Sequence, residues 1–275
     1  MDIVLQALVM GLVQGLTEFL PVSSSGHLVI VPALLGWNDP FITSLEFSVM
    51  IHIGTLVALL AYFRHDWLRL VPAGLAALRD RSLRDDPDRR LAWLIAAATL
   101  PAAAAGFLLN DLVEERFREV WLVAIMLVVG ALILFVAERR GSRQQVVGGL
   151  SFPVALGIGV AQALALVPGI SRSGISIAAG LFAGLEREAA ARFSFLMATP
   201  ITAAAALYET RKLVAGEAGV ALQVAPLVVG VVGAMVSGLI AIAVLLRFLR
   251  TRSTDVFVAY RIVLAAVVLI VVLAR

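Results

Sequence analysis

The chain has 275 residues, of which 61% are hydrophobic and only 15% are charged. Soluble domains carry about 25% charged residues, so this composition excludes an ordinary soluble protein and indicates a polytopic membrane protein. The formal net charge of +3 does not indicate a nucleic-acid-binding protein, because the arginines lie in short loops between apolar segments. The absence of cysteine excludes disulfides and thiolate metal sites.

Six apolar stretches each approach the roughly 20 residues that a helix needs to cross a bilayer. They are 45–63, 91–109, 120–137, 193–208, 224–246 and 256–274. These segments are apolar all round, which is typical of membrane spans and not of amphipathic helices around a soluble core. The sequence therefore predicts an all-α integral membrane protein that forms a single domain over 1–275.

Two further pairs of apolar segments are too short and too interrupted to form regular transmembrane helices. The pairs are 3–20 with 24–36 and 151–167 with 175–185. Pro21 and a serine run break the first pair, and Pro168 and two glycines break the second. We predict that each pair is a re-entrant helical hairpin whose broken tip lies inside the membrane, packed in protein or lining a wet cavity.

The two predicted tips are related in sequence. Residues 11–26, GLVQGLTEFLPVSSSG, align without a gap to residues 159–174, GVAQALALVPGISRSG. The differences fall on polar residues: Glu18, Ser24 and His27 align with Leu166, Arg172 and Ile175. We predict two repeats, approximately 1–140 and 150–275, each with one hairpin and three spans. An odd number of crossings makes the second repeat inverted relative to the first.

The distribution of basic residues predicts the orientation. Fifteen of the 22 basic residues lie in four predicted loops, 64–90, 138–150, 185–192 and 247–255. The other side receives five: Arg116, Arg118, Arg211, Lys212 and Arg275. Basic loops favour the cytoplasm, so both termini are predicted outside and the site is predicted to open to the outer face.

Glu18 lies one helical turn after Gln14, so the two side chains are predicted to share a helix face. A carboxylate within a membrane is costly unless it is paired or bound to a metal. Carboxylate and amide oxygens suit Mg²⁺ or Ca²⁺ that also holds a substrate phosphate. The alternative is a structural carboxylate that is hydrogen-bonded to the tip serines.

Arg172 lies between two serines in the second tip. A buried guanidinium needs an anionic partner, and its fork matches phosphate oxygens in a bidentate manner. The following helix N-terminus would add N–H donors. The alternative is an internal salt bridge between Arg172 and Glu18, and both arrangements could occur in turn.

Ser24 and His27 supply nucleophile and base residue types three positions apart at a predicted helix start. Serines at such a turn also cap helices, which is the simpler interpretation of a serine run. His52 lies in an apolar span, and a packing or hydrogen-bonding role is favoured for it. His65 is interpreted as an interface residue and 79–90 as a solvated cytoplasmic loop.

The stretches QGLTEFLPVSSSGH at 14–27 and PGISRSG at 168–174 resemble the two motifs of the undecaprenyl-pyrophosphate phosphatase family of bacteria, of the bacitracin-resistance type. The resemblance implies that Glu18 and Gln14 lie at a divalent cation and the pyrophosphate, with Ser24 and His27 at the chemistry. Gln14 stands where many members have an acid, which weakens the case for a metal site with two carboxylates. The residues implied to contact the phosphates are Gln14, Ser23, Ser25, Ser171, Arg172, Ser173 and Ser176, the last in place of a common threonine.

The function that the resemblance implies is removal of the terminal phosphate of a C55 polyprenyl pyrophosphate. The products are inorganic phosphate and the monophosphate lipid carrier of cell-wall synthesis, recycled in the bacterial cytoplasmic membrane. Ser24 is predicted as the nucleophile with His27 as base or acid, and the reverse assignment stays open. A transporter or lipid flippase is the alternative, because inverted repeats with broken helices are a common transporter plan. A homodimer is compatible with the sequence but not required by it.

Overall fold

The computed structural model describes residues 2–83, 86–116, 119–215 and 221–274, and these residues form eleven α-helices. The helices are α1 Ile3–Phe19, α2 Ser24–Leu35, α3 Leu45–Tyr62, α4 Arg64–Asp80, α5 Pro87–Arg116, α6 Val120–Arg140, α7 Phe152–Ala163, α8 Arg172–Phe182, α9 Arg187–Val214, α10 Val224–Leu249 and α11 Asp255–Ala274.

Six helices of the described ranges are long and apolar enough to cross a membrane: α3, α5, α6, α9, α10 and α11. They coincide with the six predicted stretches, so the prediction of an all-α protein with six membrane spans is confirmed. The four hairpin arms, α1, α2, α7 and α8, are each shorter than these spans.

Glycines allow the first arm of each hairpin to lie directly against a long span. A Cβ atom at Gly11 of α1 would overlap the Gly230 carbonyl of α10, and a Cβ at Gly159 of α7 would overlap the Ala98 carbonyl of α5. Gly11 and Gly159 are equivalent positions of the two aligned motifs. Small residues that let helix backbones approach are the usual packing device between helices in membranes. In both hairpins, therefore, a glycine lets the first arm pack closely against a long span.

The four arginine-rich segments lie together at one end of the helix bundle. Contacts between them link every segment to another: Asp66 with Arg192, Arg90 with the Gly148 and Leu150 carbonyls, Glu138 with Arg187, Arg139 with Asp255, and Glu188 with Arg250. We refer to this end as the arginine-rich end. Of the basic residues assigned to the opposite side, the side chains of Arg116, Arg118, Lys212 and Arg275 lie outside the described part of the structure.

The segment 64–90 is not simply a loop, and this part of the prediction is wrong. Residues 64–80 form the helix α4, which buries Leu70 and Ala77 and exposes an apolar stripe on its other side. The stripe consists of Leu68, Val71, Leu75 and Leu78. Charged residues at both ends of this segment suggested a loop, whereas the spacing of its central apolar residues follows the helical period.

Candidate active site

The two hairpin tips have the same local geometry. Ser23 and Ser171 both adopt left-handed φ angles, 75° and 74°, although neither is glycine. Each serine caps the helix that follows, because its hydroxyl accepts from the backbone N–H of Gly26 (3.3 Å) or Gly174 (3.1 Å). Such strained conformations persist where the surrounding structure fixes them, often at functional sites. The caps place Ser24 and Arg172 as the first residues of α2 and α8.

The tips contact each other directly. The Gly169 N–H donates to Ser23 Oγ at 3.2 Å, and Ser173 Oγ donates to the Leu20 carbonyl at 3.0 Å. Gly169 has a φ of 102°, and a Cβ there would overlap the Val123 carbonyl of α6. The two motifs, about 150 residues apart in sequence, therefore form one site.

Arg261 of α11 holds the two tips together, and sequence reasoning missed it. Its side chain is fully buried, and its guanidinium donates to the Gly169 carbonyl at 2.7 Å and to the Pro21 carbonyl at 3.4 Å. Gly130 of α6 makes room for it, since a Cβ at this position would overlap Arg261 Nη2. A buried charge needs such hydrogen bonds. The sequence does contain an indication of this role, because Arg261 is the single charged residue of the apolar span 256–274. A charged residue within a membrane span is a candidate functional residue.

Glu18 lies at the centre of the site and is buried. One carboxylate oxygen, Oε1, forms an ion pair with Arg172 of the other tip. The second, Oε2, accepts from Gln14 Nε2 at 3.1 Å and from Ser24 Oγ at 2.5 Å. Gln14 and Glu18 thus share a helix face as predicted. The predicted internal salt bridge between Arg172 and Glu18 is present in this structure.

The guanidinium of Arg172 bridges two partners. Besides Glu18, it donates to Thr202 Oγ1 at 2.8 Å. Thr202 lies near the middle of α9, and it was not predicted as a site residue. Its hydroxyl fixes the plane of the guanidinium, so the fork is held in one orientation beside the carboxylate.

His52 approaches the site from α3, and of the packing or hydrogen-bonding role favoured for it, hydrogen bonding is present. Its Nε2 atom lies 3.5 Å from Glu18 Oε2. Its Nδ1 atom lies 2.6 Å from the Ser48 carbonyl, to which it can only donate. His52 therefore adds a hydrogen-bonded ring to the surroundings of Glu18, whereas His65 is exposed at the start of α4.

His27 is hydrogen-bonded to groups other than Ser24. Its Nδ1 donates to the Ser23 carbonyl at 2.7 Å, and its Nε2 lies 2.7 Å from the Tyr260 hydroxyl. The Tyr260 ring stacks on the imidazole, with ring centroids 5.7 Å apart. Because Nδ1 donates to a carbonyl, Nε2 of the neutral ring accepts from Tyr260, a tautomer assigned from the hydrogen-bond partners. The Ser24 hydroxyl donates to Glu18 and not to His27.

The remaining predicted residues lie around the tips. Ser25 Oγ is 3.3 Å from Ser23 Oγ, and Ser173 Oγ is 3.2 Å from Ser171 Oγ. Ser176 lies one turn into α8, where its hydroxyl contacts the Arg172 carbonyl at 2.6 Å and Ser194 Oγ of α9 at 2.6 Å. Their contact with substrate stays a prediction.

The donor atoms at Glu18 fit a divalent cation of the Mg²⁺ or Ca²⁺ type. Gln14 Oε1 is buried and has no hydrogen-bond partner among the described residues. Together with the adjacent Glu18 carboxylate it offers hard oxygen ligands. Within the described ranges, no group of three or more histidine, cysteine or acidic residues could hold a metal ion. The remaining ligands of such a cation would therefore come from substrate phosphate and water.

The fold and site define a class of protein: a polytopic membrane protein whose broken-helix tips enclose a carboxylate, a serine and an arginine beside the middle of α3 and α9. Comparison with known proteins identifies the family of the chain. The family described as Bacitracin resistance protein BacA matches residues 7–267. The chain belongs to this family.

Curated relatives match over nearly the full length. The chain is 46% identical to the undecaprenyl-diphosphatase of Thermomicrobium roseum, with 97% of each chain covered. It is 46% identical to that of Myxococcus xanthus, over 97% of this chain and 88% of the relative. It is 45% identical to that of Gemmatimonas aurantiaca, over 98% of both.

Proposed function

We propose that this protein is an undecaprenyl-diphosphatase, which hydrolyses the terminal phosphate of undecaprenyl diphosphate within the bacterial membrane. The full-length similarity to proteins of that name supports the activity. The observation that carries the site is the connection of Ser24, Glu18 and Arg172 through one buried carboxylate. This arrangement combines a hydroxyl nucleophile, a proton acceptor and an anion-binding fork.

Arg172 is proposed to bind the pyrophosphate. Its charge is balanced by Glu18 in the structure. A phosphate group entering between the tips offers the guanidinium a second anionic partner of matching bidentate geometry. The hydroxyl of Thr202 keeps the fork oriented during this exchange. The serines that flank Arg172 and the N-terminal N–H groups of α8 add donors to the same phosphate.

Ser24 is proposed as the nucleophile. Its Oγ would attack the terminal phosphorus in line with the bridging oxygen, and the bond from phosphorus to that oxygen would break. Undecaprenyl phosphate then leaves, and the serine carries the phosphoryl group. The Ser24 proton passes to Glu18, because Oε2 already accepts the hydrogen bond from that hydroxyl. Water then hydrolyses the phosphoserine and releases inorganic phosphate.

His27 is proposed to act as base or acid for the water in the second step. The neutral ring has a lone pair on Nε2, and Tyr260 and the Ser23 carbonyl orient it. This assignment differs from direct pairing with Ser24, because the Ser24 hydroxyl donates to Glu18 and the Nε2 lone pair accepts from Tyr260. A proton from the water would reach the ring through Tyr260, whose hydroxyl would pass its own proton to Nε2 and take up the proton of the water. A divalent cation held by Glu18 and Gln14 would neutralise charge on the pyrophosphate.

The two halves, about 1–140 and 150–275, are proposed to be inverted repeats with re-entrant hairpins. The matching φ angles of the tip serines support this relationship, and so does the close packing of Gly11 and Gly159 against a backbone carbonyl of a long span. Following the basic-residue rule, the arginine-rich end is proposed to face the cytoplasm, with the termini outside and the site open to the outer face.

Phosphate release by the purified protein from undecaprenyl diphosphate tests the function. We expect stoichiometric inorganic phosphate and undecaprenyl phosphate, with Ser24→Ala as the inactive control. Protein that binds the lipid and moves it across vesicles without releasing phosphate would instead support the transporter alternative.

A further inference from the structure

A second polar cavity lies at the arginine-rich end of the bundle, away from the proposed active site. Its volume is about 460 Å³, and it is enclosed by the last turns of α3 and α10 and the first turns of α9. The residues that line it are Tyr62, Glu188, Arg192, Ala243, Leu246, Arg247 and Arg250. Tyr62 lies ten positions after His52 of the active site on α3, roughly 15 Å along the helix axis.

The cavity carries an excess of positive charge. Three arginines and one carboxylate line it. Arg250 forms two hydrogen bonds with Glu188, at 2.8 and 2.9 Å, and Arg192 forms an ion pair with Asp66 at 2.6 Å. Arg247 has no ion pair or hydrogen bond with any residue in the described ranges, and it is exposed. One guanidinium is thus left for an external anion, with two others fixed beside it.

An exposed apolar strip leads along the spans to this cavity. On α10, Val236, Ile240 and Val244 are spaced one turn apart, and each is about half exposed. On α3, Val57 and Leu60 are also exposed. The strip ends at the cavity wall formed by Ala243, Leu246 and Arg247. An apolar surface that ends in a basic pocket matches a lipid, with its chains along the helices and its charged head in the pocket.

We propose that this cavity binds the phosphate headgroup of an anionic lipid, with Arg247 as the principal contact. A guanidinium matches phosphate oxygens in a bidentate manner, and basic pockets between membrane helices are typical sites for anionic headgroups. The adjoining apolar strip favours a lipid over free phosphate. This inference does not depend on the hydrolase assignment, because none of the lining residues belongs to the proposed active site.

Native mass spectrometry of the full-length protein in neutral detergent tests the proposal. The probes are phosphatidylglycerol, phosphatidylcholine, undecaprenyl phosphate and inorganic phosphate. We expect phosphatidylglycerol to bind more tightly than phosphatidylcholine. Arg247→Gln should weaken its binding about five- to tenfold, the effect of losing one arginine at a membrane surface. Phosphate release should be retained, which shows that the variant is folded.

Arg140→Gln is the matched control. Arg140 is also an exposed arginine in the last turn of a span at the same end, without a partner in the described part of the chain, and it does not line the cavity. Its loss should leave lipid binding unchanged. A loss of undecaprenyl phosphate binding in Arg247→Gln that exceeds the loss of phosphatidylglycerol binding would identify the carrier lipid as the ligand, because this change leaves binding at the active site intact. Equal losses would indicate any lipid with an anionic phosphate headgroup.

Three results would overturn the proposal. The first is wild-type lipid binding by Arg247→Gln, and the second is an equal loss in Arg140→Gln, which would indicate general charge attraction. The third is displacement of the lipid by inorganic phosphate at the same concentration, which would show that the cavity binds free anions and does not recognise a lipid.

Discussion

Arg172 of the second hairpin tip forms an ion pair with Glu18 of the first, across 154 positions of the sequence. The pair joins the residues in which the two related motifs differ most in charge. It balances a buried carboxylate and a half-buried guanidinium, so both can remain charged in an apolar protein. If Arg172 binds the pyrophosphate as proposed, the same pair would open or rearrange.

Arg172→Lys separates the ion pair from phosphate binding. Lysine keeps the charge that balances Glu18 but lacks the bidentate fork. We expect a fall in kcat of about 10²- to 10³-fold, as for loss of one oriented transition-state donor, with normal insertion and folding. Steady-state phosphate release and thermal unfolding measure the two effects. Near-normal turnover would leave Arg172 with a purely structural role.

Substitutions at Glu18 and Gln14 test the proposed cation site. Glu18→Gln removes both the anionic ligand and the acceptor of the Ser24 proton, so activity should be abolished and dependence on a divalent cation greatly weakened. Gln14→Glu replaces the amide ligand with a second carboxylate and should be tolerated. Activity is measured against Mg²⁺ and Ca²⁺ after chelation. An unchanged cation titration in residual Glu18→Gln activity would contradict the metal role.

Ser24→Ala should be inactive, whereas Ser25→Ala should keep partial activity. Among the tip serines of the described ranges, only Ser24 donates to Glu18. Ser23→Ala should also keep partial activity but lose stability, by about 1 kcal/mol for the lost cap. Acid quenching with labelled substrate should trap an acid-stable phosphoserine in the wild type. An acid-labile phosphohistidine would assign the attack to His27, and no phosphoenzyme would indicate direct attack by water.

Gly130→Ala tests whether Arg261 holds the two tips together. The added methyl group would displace the buried guanidinium, leaving it without its carbonyl partners. We expect destabilisation of about 3 kcal/mol and a loss of activity. Gly157→Ala is the control, because a Cβ there meets no atom within 4 Å and should stabilise its helix by up to about 1 kcal/mol. Thermal unfolding in detergent compares the two variants. Equal stability of Gly130→Ala and Gly157→Ala would show that Arg261 does not hold the tips together.

Cysteine labelling tests the proposed orientation. The chain has no cysteine, so single cysteines at Gln144 and Ala215 can be labelled selectively. Both positions are exposed, Gln144 at the arginine-rich end and Ala215 just after the last residue of α9. An impermeant reagent added to intact cells should label position 215, and position 144 only after the membrane is permeabilised. Labelling of both from one side contradicts the inverted arrangement.

The sequence by itself determined the six spans, the two broken hairpins and the motifs that carry Glu18, Ser24 and Arg172. These properties are local: a span requires about 20 apolar residues, and a membrane makes each interrupted or charged segment costly and therefore visible. The shared face of Gln14 and Glu18 follows from helical spacing alone. The helix α4 was missed because its charged ends concealed a short amphipathic core.

Only the tertiary structure decided which groups those residues meet. His52, Thr202 and Tyr260 come from three different helices, and their distances from Glu18, Arg172 and His27 depend on how the spans pack. The partner of the Ser24 hydroxyl was likewise open, because sequence proximity favoured His27 while folding of the chain around Pro21 brought Glu18 within 2.5 Å. Arg261 reaches both tips only because Gly130, more than 100 residues earlier, leaves room for it. Such contacts arise from close packing between distant segments, which no local pattern specifies.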